Sequence, residues 1–154
     1  MYSVLIVAHS WLRWIVLLVG LVAVFRALAG RSSHRAWGPG DSGPGRLYTI
    51  AFDVQVLAGI LLYVWASPIT MIAREHMAEA MGNHVTRFWL VEHPLGMIVA
   101  LALAHIGRSR VRKAQSDRSR FSRAALFYGL SVLIAILATP WPGMSYGRAW
   151  LRLP

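Results

Sequence analysis

Across 154 residues the chain is 56% hydrophobic and only 14% charged, with a mean hydropathy of +0.50, too apolar for a soluble domain of this length to cover its core with polar surface. A formal charge of +10 and a pI of about 11.4 would suggest nucleic acid in a soluble protein, but the basic run lacks interleaved stacking aromatics, which argues against that partner. The absence of cysteine excludes disulfide frameworks, thiolate metal sites, iron–sulfur clusters and thiol–disulfide exchange.

The first predicted element, residues 3–29, is an apolar run long enough to span a bilayer. His9 and Arg13 interrupt it and no basic region precedes it, so it is expected to persist in the mature protein rather than be cleaved as a signal peptide. "GRSSHRAWGPGDSGPGR" follows, and its Gly, Pro and Ser content predicts a loop. A second span, residues 47–66, carries Asp53 and Gln55. The next connection, "SPITMIAREHMAEAMGNHVTR", predicts a short helix from Ile69 to Met81 closed by Gly82 and Asn83.

The third span, residues 88–107, holds Glu92, His93, Pro94 and His105. The basic run "RSRVRKAQSDRSR" leads into a fourth span, residues 121–140, and "WPGMSYGRAWLRLP" forms a short aromatic tail. Spanning segments must satisfy their backbone internally, so each is a helix. Small-residue stripes through Gly96, Ala100 and Ala104, and through Ala124, Tyr128, Ser131, Ala135 and Ala138, permit close helix approach in lipid. The expected fold is all-α: one integral membrane domain over residues 1–154, built as a four-helix bundle.

Most of the 16 basic residues sit in the first and third connections, at Arg26, Arg31, Arg35 and Arg46 and along the run from Arg108 to Arg123. The positive-inside rule makes these connections cytoplasmic and puts both termini on the outer, periplasmic side of a bacterial inner membrane. All the tryptophans except Trp37 fall toward that outer side, as an interfacial belt does.

Ionisable groups are costly in hydrocarbon and mark candidate sites. His9 lies six residues past Ser3 and His93 six past Arg87, so both sit about 9 Å below the same boundary on spans running in the same direction. Two imidazoles at one depth can ligate a metal or the two faces of a haem iron; alternatively each is an interfacial histidine bonded to a carbonyl or a Tyr. Arg13 lies one turn deeper than His9 on the same face, and its expected partner is Glu92, a haem propionate or a quinone oxygen.

His105 lies twelve residues from His93, about 18 Å along the helix and about 120° around it. That geometry disfavours a second stacked haem. It is expected to join Asp53 and Gln55 in a polar cluster that packs helices, passes protons or meets a quinone. In the outer connection, Glu75, His76, Glu79 and His84, with Met71, Met77 and Met81, offer generic copper or zinc donors or simply a solvated helix face. Pro94 is expected to remove the bond to the Leu90 carbonyl and bend the helix entrance.

Taken together, "HSWLRW", "FDVQVLAGILLY", "RFWLVEHPLGM", "LAHIGR" and "PWPG" resemble a family of small bacterial four-span membrane proteins known as cytochrome b. The resemblance implies a haem-b-type protein with His9 and His93 as axial ligands and His105 as a further candidate. The reading that follows is an electron-transfer protein with a single haem b near the outer face, exchanging electrons with a quinone or membrane redox subunits. The rival readings are a cofactor-free accessory subunit of a respiratory or photosynthetic membrane complex, and a copper- or zinc-binding membrane protein.

Overall fold

In the computed structural model, which describes residues 2–152, the first apolar run forms one unbroken helix, α1 (Tyr2–Ser32). The next is α2 (Pro39–Leu61), prolonged by a π-helical turn over Leu62–Ala66. Three short helices, α3 (Pro68–Glu75), α4 (Met77–Gly82) and α5 (His84–Arg87), lead into a second π turn at Phe88–Glu92 and then α6 (His93–Arg112). The last helix is α7 (Asp117–Leu137). The helical stretches Tyr2–Ser32, Pro39–Ala66, His84–Arg112 and Asp117–Leu137 are each long and apolar enough to cross a membrane.

The second span begins at Pro39, well before the Leu47 expected from the Gly- and Pro-rich composition. Pro39 sits at the first helical position, where its missing N–H costs nothing, and the Asp41 carboxylate accepts from the Gly38 N–H at 3.1 Å. Arg35 grips the same carboxylate with two bonds of 2.6 Å, and Arg26 adds a contact at 3.3 Å. Asp41 is thereby buried with its charge matched, and "PGDSGPG" becomes helix rather than loop. At the start of α7 the Ser116 hydroxyl accepts from the Ser119 N–H, so this span too starts earlier than Phe121. The expected helix from Ile69 to Met81 is present but broken at His76 into α3 and α4.

Around the bundle the order is α1, α2, α6, α7 and back to α1, with the seam between α2 and α6 the loosest. α1 and α6 therefore face each other across the bundle diagonal. The core sets small side chains, Ala23, Ala27, Ala51, Ala100, Ala104, Ala124 and Ala135, around the buried aromatics Tyr48, Phe52, Phe121 and Tyr128, while Leu18, Phe25, Leu57, Ile98, Leu133 and Leu137 point outward. That inside-out arrangement suits lipid, where close helix packing rather than apolar burial drives association. Gly20 shows how close the approach is, since a Cβ there would stand 2.7 Å from both Tyr48 and Val132. In the bundle centre Tyr48 Oη donates to Ser131 Oγ at 2.7 Å, and Ser131 Oγ donates to the Ala100 carbonyl at 2.6 Å, tying α2, α7 and α6 together.

Both ends of the chain meet at one end of the bundle. Trp11 Nε1 donates to the Arg152 carbonyl at 3.2 Å, and Trp14 Nε1 and Arg13 Nη2 donate to the Trp150 carbonyl at 2.9 and 2.6 Å. Trp14, Trp141 and Trp150 pack against one another with ring centroids 5.7–6.0 Å apart, Trp14 and Trp150 stacked and Trp141 tilted against both. The tail is thus pinned across the bundle mouth.

Candidate functional site

Two prolines shape the end of the bundle that carries the termini. Pro68 offers no N–H to the carbonyl of Val64, and Pro94 none to that of Leu90. Ahead of each, the chain makes a π turn: the Ser67 N–H reaches the Leu62 carbonyl at 2.8 Å, and the His93 N–H reaches that of Phe88. The two freed carbonyls are each filled by a side chain, Arg74 Nη2 to Val64 at 2.8 Å and Tyr63 Oη to Leu90 at 3.1 Å. Tyr63 thus links the two π turns across the α2–α6 seam. π turns are frequent at functional sites, and the one at Phe88–Glu92 delivers His93 directly.

His93 points into the bundle, toward His9. Its Nδ1 lies 2.8 Å from the carbonyl of Ala138, the residue that ends α7. A carbonyl only accepts, so the proton is on Nδ1 and the Nε2 lone pair is free. A helix-end carbonyl left unsatisfied by its own helix therefore fixes the tautomer and orientation of the imidazole, the outer support found behind ligating histidines.

His9, on α1, stands opposite, with ring centroids 6.4 Å apart and ring planes at 79°. Two imidazoles bound on opposite sides of one metal ion, through bonds of about 2.0–2.1 Å, would stand about 6 Å apart by centroid. Gln55 Nε2 donates to the His9 carbonyl at 3.0 Å and lies 3.4 Å from its Nε2. Behind His9, Gly59 leaves room that a Cβ would narrow to 3.1 Å from the ring Cε1.

The histidine pair stands where two cavities meet. The larger, of about 430 Å³, is walled by apolar side chains of α1, α2, α6 and the π turns, with Gln55, Tyr63 and Thr70 among them. That volume lies within the range of small-molecule sites. It faces the α2–α6 seam, where Ile60, Leu95 and Ile98 are exposed. The smaller, of about 60 Å³, is lined by Arg13, Arg148 and Arg152 and, among the described residues, by no carboxylate. His9, Gln55, Trp89 and His93 line both.

Polar atoms at this junction lack partners. Among the described residues, the buried side-chain nitrogens and oxygens without a hydrogen bond are His9 Nδ1, Arg13 Nε, Gln55 Oε1 and Trp89 Nε1, with Arg26 Nε at the far end of the bundle. An unsatisfied buried polar group costs about 1–3 kcal/mol, and four of these atoms gather around one pair of cavities. Arg148 stacks over the Trp89 ring at 4.6 Å, and burial together with the neighbouring Arg152 pushes its guanidinium pKa below the usual arginine value.

Other expected contacts form differently. Arg13 does not meet Glu92; it turns to the Trp150 carbonyl, and Glu92, half exposed, pairs with Arg87 at 2.8 Å. The physical reason is helix rotation: Glu92 immediately precedes His93, about 100° around the helix, so with His93 aimed into the bundle Glu92 is carried outward to Arg87. His105 Nε2 does meet Asp53 Oδ1, at 2.8 Å, but Gln55 leaves that cluster for His9.

The copper or zinc donors of the outer connection are not gathered. Among the described residues no three His, Asp or Glu side chains converge. His76 marks the break between α3 and α4, and His84 packs against Ser145 and Tyr146. Asp41, Tyr63 and the Ala138 carbonyl escape a reading of the sequence. Only Tyr63 left a signal: Pro94 orphans a carbonyl that some donor must fill.

No family model matches the chain, and no curated protein or solved structure is similar to it.

Proposed function

We propose that the protein is an integral membrane electron-transfer protein holding one b-type haem between His9 and His93. The observation that carries this reading is the histidine pair itself: two imidazoles across the bundle diagonal, 6.4 Å apart, one with its Nε2 freed by an Nδ1–H bond to Ala138. A site with two imidazoles and, among the described residues, no third His, Asp or Glu beside them suits a group that would bring nitrogen ligands of its own better than it suits a bare zinc ion, which takes three or four protein ligands.

The surroundings fit the same group. The larger cavity offers an apolar wall, and the smaller one offers Arg13, Arg148 and Arg152, which call for carboxylates such as propionates. Arg87 is already paired with Glu92 and does not contribute. When bound, haem supplies one-electron redox chemistry, with a potential set by axial ligands, burial and nearby charge. The chain's own residues do the rest: Ala138 holds His93 in one tautomer, Gln55 orients His9, and Trp11, Arg13 and Trp14 hold the tail over the site and exclude water.

The basic connections make the opposite end of the bundle cytoplasmic. The haem then sits near the outer, periplasmic face of a bacterial inner membrane, with a quinone or a membrane redox subunit as electron partner. The test is an absorption spectrum of the protein purified after expression with haem supply. A Soret band and a reduced α-band are expected, both lost in His9→Ala and His93→Ala while the helical circular dichroism is kept. Their absence from the wild-type chain, or haem content unchanged in both variants, would overturn the reading.

A further inference from the structure

His9 and His93 are held in place by unlike means. An imidazole N–H lies in the plane of its ring, so the 2.8 Å bond from His93 Nδ1 to the Ala138 carbonyl sets the ring plane as well as the tautomer. Phe88 and Trp89 wall that ring, with centroids at 5.9 and 5.5 Å. His9 has no such bond, since its Nδ1 is buried without a partner among the described residues. Its ring is bracketed instead by two residues of α2 that lie one turn apart on one face. Gln55 Nε2 stands 3.4 Å from His9 Nε2, anchored there by its 3.0 Å bond to the His9 carbonyl. Gly59 closes on the other side of Cε1, where a Cβ would come to 3.1 Å. The two rings end up crossed, with their planes at 79°.

We propose, on the reading of this site as a bis-histidine haem, that Gln55 and Gly59 are positioning residues that hold His9 crossed against His93 and thereby tune the iron. An imidazole donates π density only perpendicular to its own plane. Two parallel rings load one of the iron's dπ orbitals and split it from its neighbour, whereas two crossed rings load one orbital each and leave the pair nearly degenerate. Crossed rings therefore give ferric haem a strongly anisotropic low-spin EPR signal in place of a rhombic one. They also stabilise the ferric state less, which raises the reduction potential and makes the group a better electron acceptor; orientation of ligands by outer partners is a lever the protein holds over such a group. Both residues carry a local cost. An apolar side chain of Gln55's size would leave no buried Oε1 without a partner, and glycine is a poor helix former; what the two share is the edge of the His9 ring.

EPR of the oxidised, haem-loaded protein tests this, with a redox titration beside it. The wild-type chain is expected to give the strongly anisotropic signal. Gln55→Leu keeps the volume and removes the amide, and is expected to shift the signal toward the rhombic form and to lower the midpoint potential at unchanged haem content and helicity. Gly59→Ala, whose methyl presses on Cε1, is expected to move the same signal by less. Ile60→Ala, in the wall of the same cavity but exposed at the seam, is expected to leave it as in the wild type. Should Gln55→Leu not fold, the wild-type signal and Gly59→Ala decide. A wild-type chain that takes up no haem overturns the reading of the site and this proposal with it. In a haem-loaded chain, a rhombic wild-type signal, a signal unmoved by the folded variants at 55 and 59, or one moved as far by Ile60→Ala overturns the proposal alone.

Discussion

The two ends of the bundle treat their charges in opposite ways. At the basic end Asp41 is buried, yet it receives Arg35 twice, Arg26 once and the Gly38 N–H, and Asp117 receives Arg120. One buried nitrogen, Arg26 Nε, is left over. At the end carrying the termini, His9, Arg13, Gln55 and Trp89 each keep a buried polar atom without a partner among the described residues, and three arginines line a small cavity with no acid among those residues beside them. The lesson is that a cluster of charge is not by itself a site. A cluster that completes itself is a clasp, whereas one that leaves demands unmet on several helices at once is shaped for something else.

Four variants would break or sharpen that contrast. The largest effect is expected from His93→Ala, which removes the oriented Nε2 and abolishes haem binding, read as loss of the Soret band at unchanged helicity. Asp41→Ala is expected to do the reverse, lowering stability by about 2–3 kcal/mol because it strips a buried carboxylate from two partly exposed arginines. Thermal unfolding in detergent measures this, and haem content per folded chain should stay at the wild-type level. A loss of haem with Asp41→Ala would erase the distinction between the two ends.

Arg13→Gln comes next. It is expected to weaken haem retention about tenfold, the lower end of what outer-shell partners contribute, as measured by haem transfer to an apo-globin acceptor. Binding unchanged by this substitution would mean that the arginine-lined cavity serves only to anchor the tail. Tyr63→Phe is the smallest: the Leu90 carbonyl loses its donor, at about 1 kcal/mol, with a small shift in the haem spectrum as the π turn re-aims His93. A spectrum identical to wild type would show that Tyr63 supports the helix alone.

Much of the architecture was readable along the chain because lipid enforces simple rules. Spanning length, the small-residue stripes and the equal depths of His9 and His93 follow from hydropathy and a fixed rise per residue, and the meeting of His105 with Asp53 followed from the same arithmetic. Composition misled at "PGDSGPG", where a buried carboxylate held by two arginines outweighs local propensity. The Arg13–Glu92 pairing failed for a different reason: Glu92 and His93 share a depth but are adjacent, about 100° apart around the helix, so only one of them faces the bundle, and depth alone does not say which.

The sequence by itself therefore determined how many helices are long and apolar enough to cross a membrane and how far along its helix each polar residue lies, because both depend only on local composition and helical rise. Tertiary structure alone decided that α1 and α6 are diagonal neighbours, that the Ala138 carbonyl orients His93, and that Gln55 belongs to His9 rather than to Asp53. Those facts depend on the order of helices around the bundle and on the rotation of each about its axis, which are set by how small side chains interlock between segments far apart in the chain.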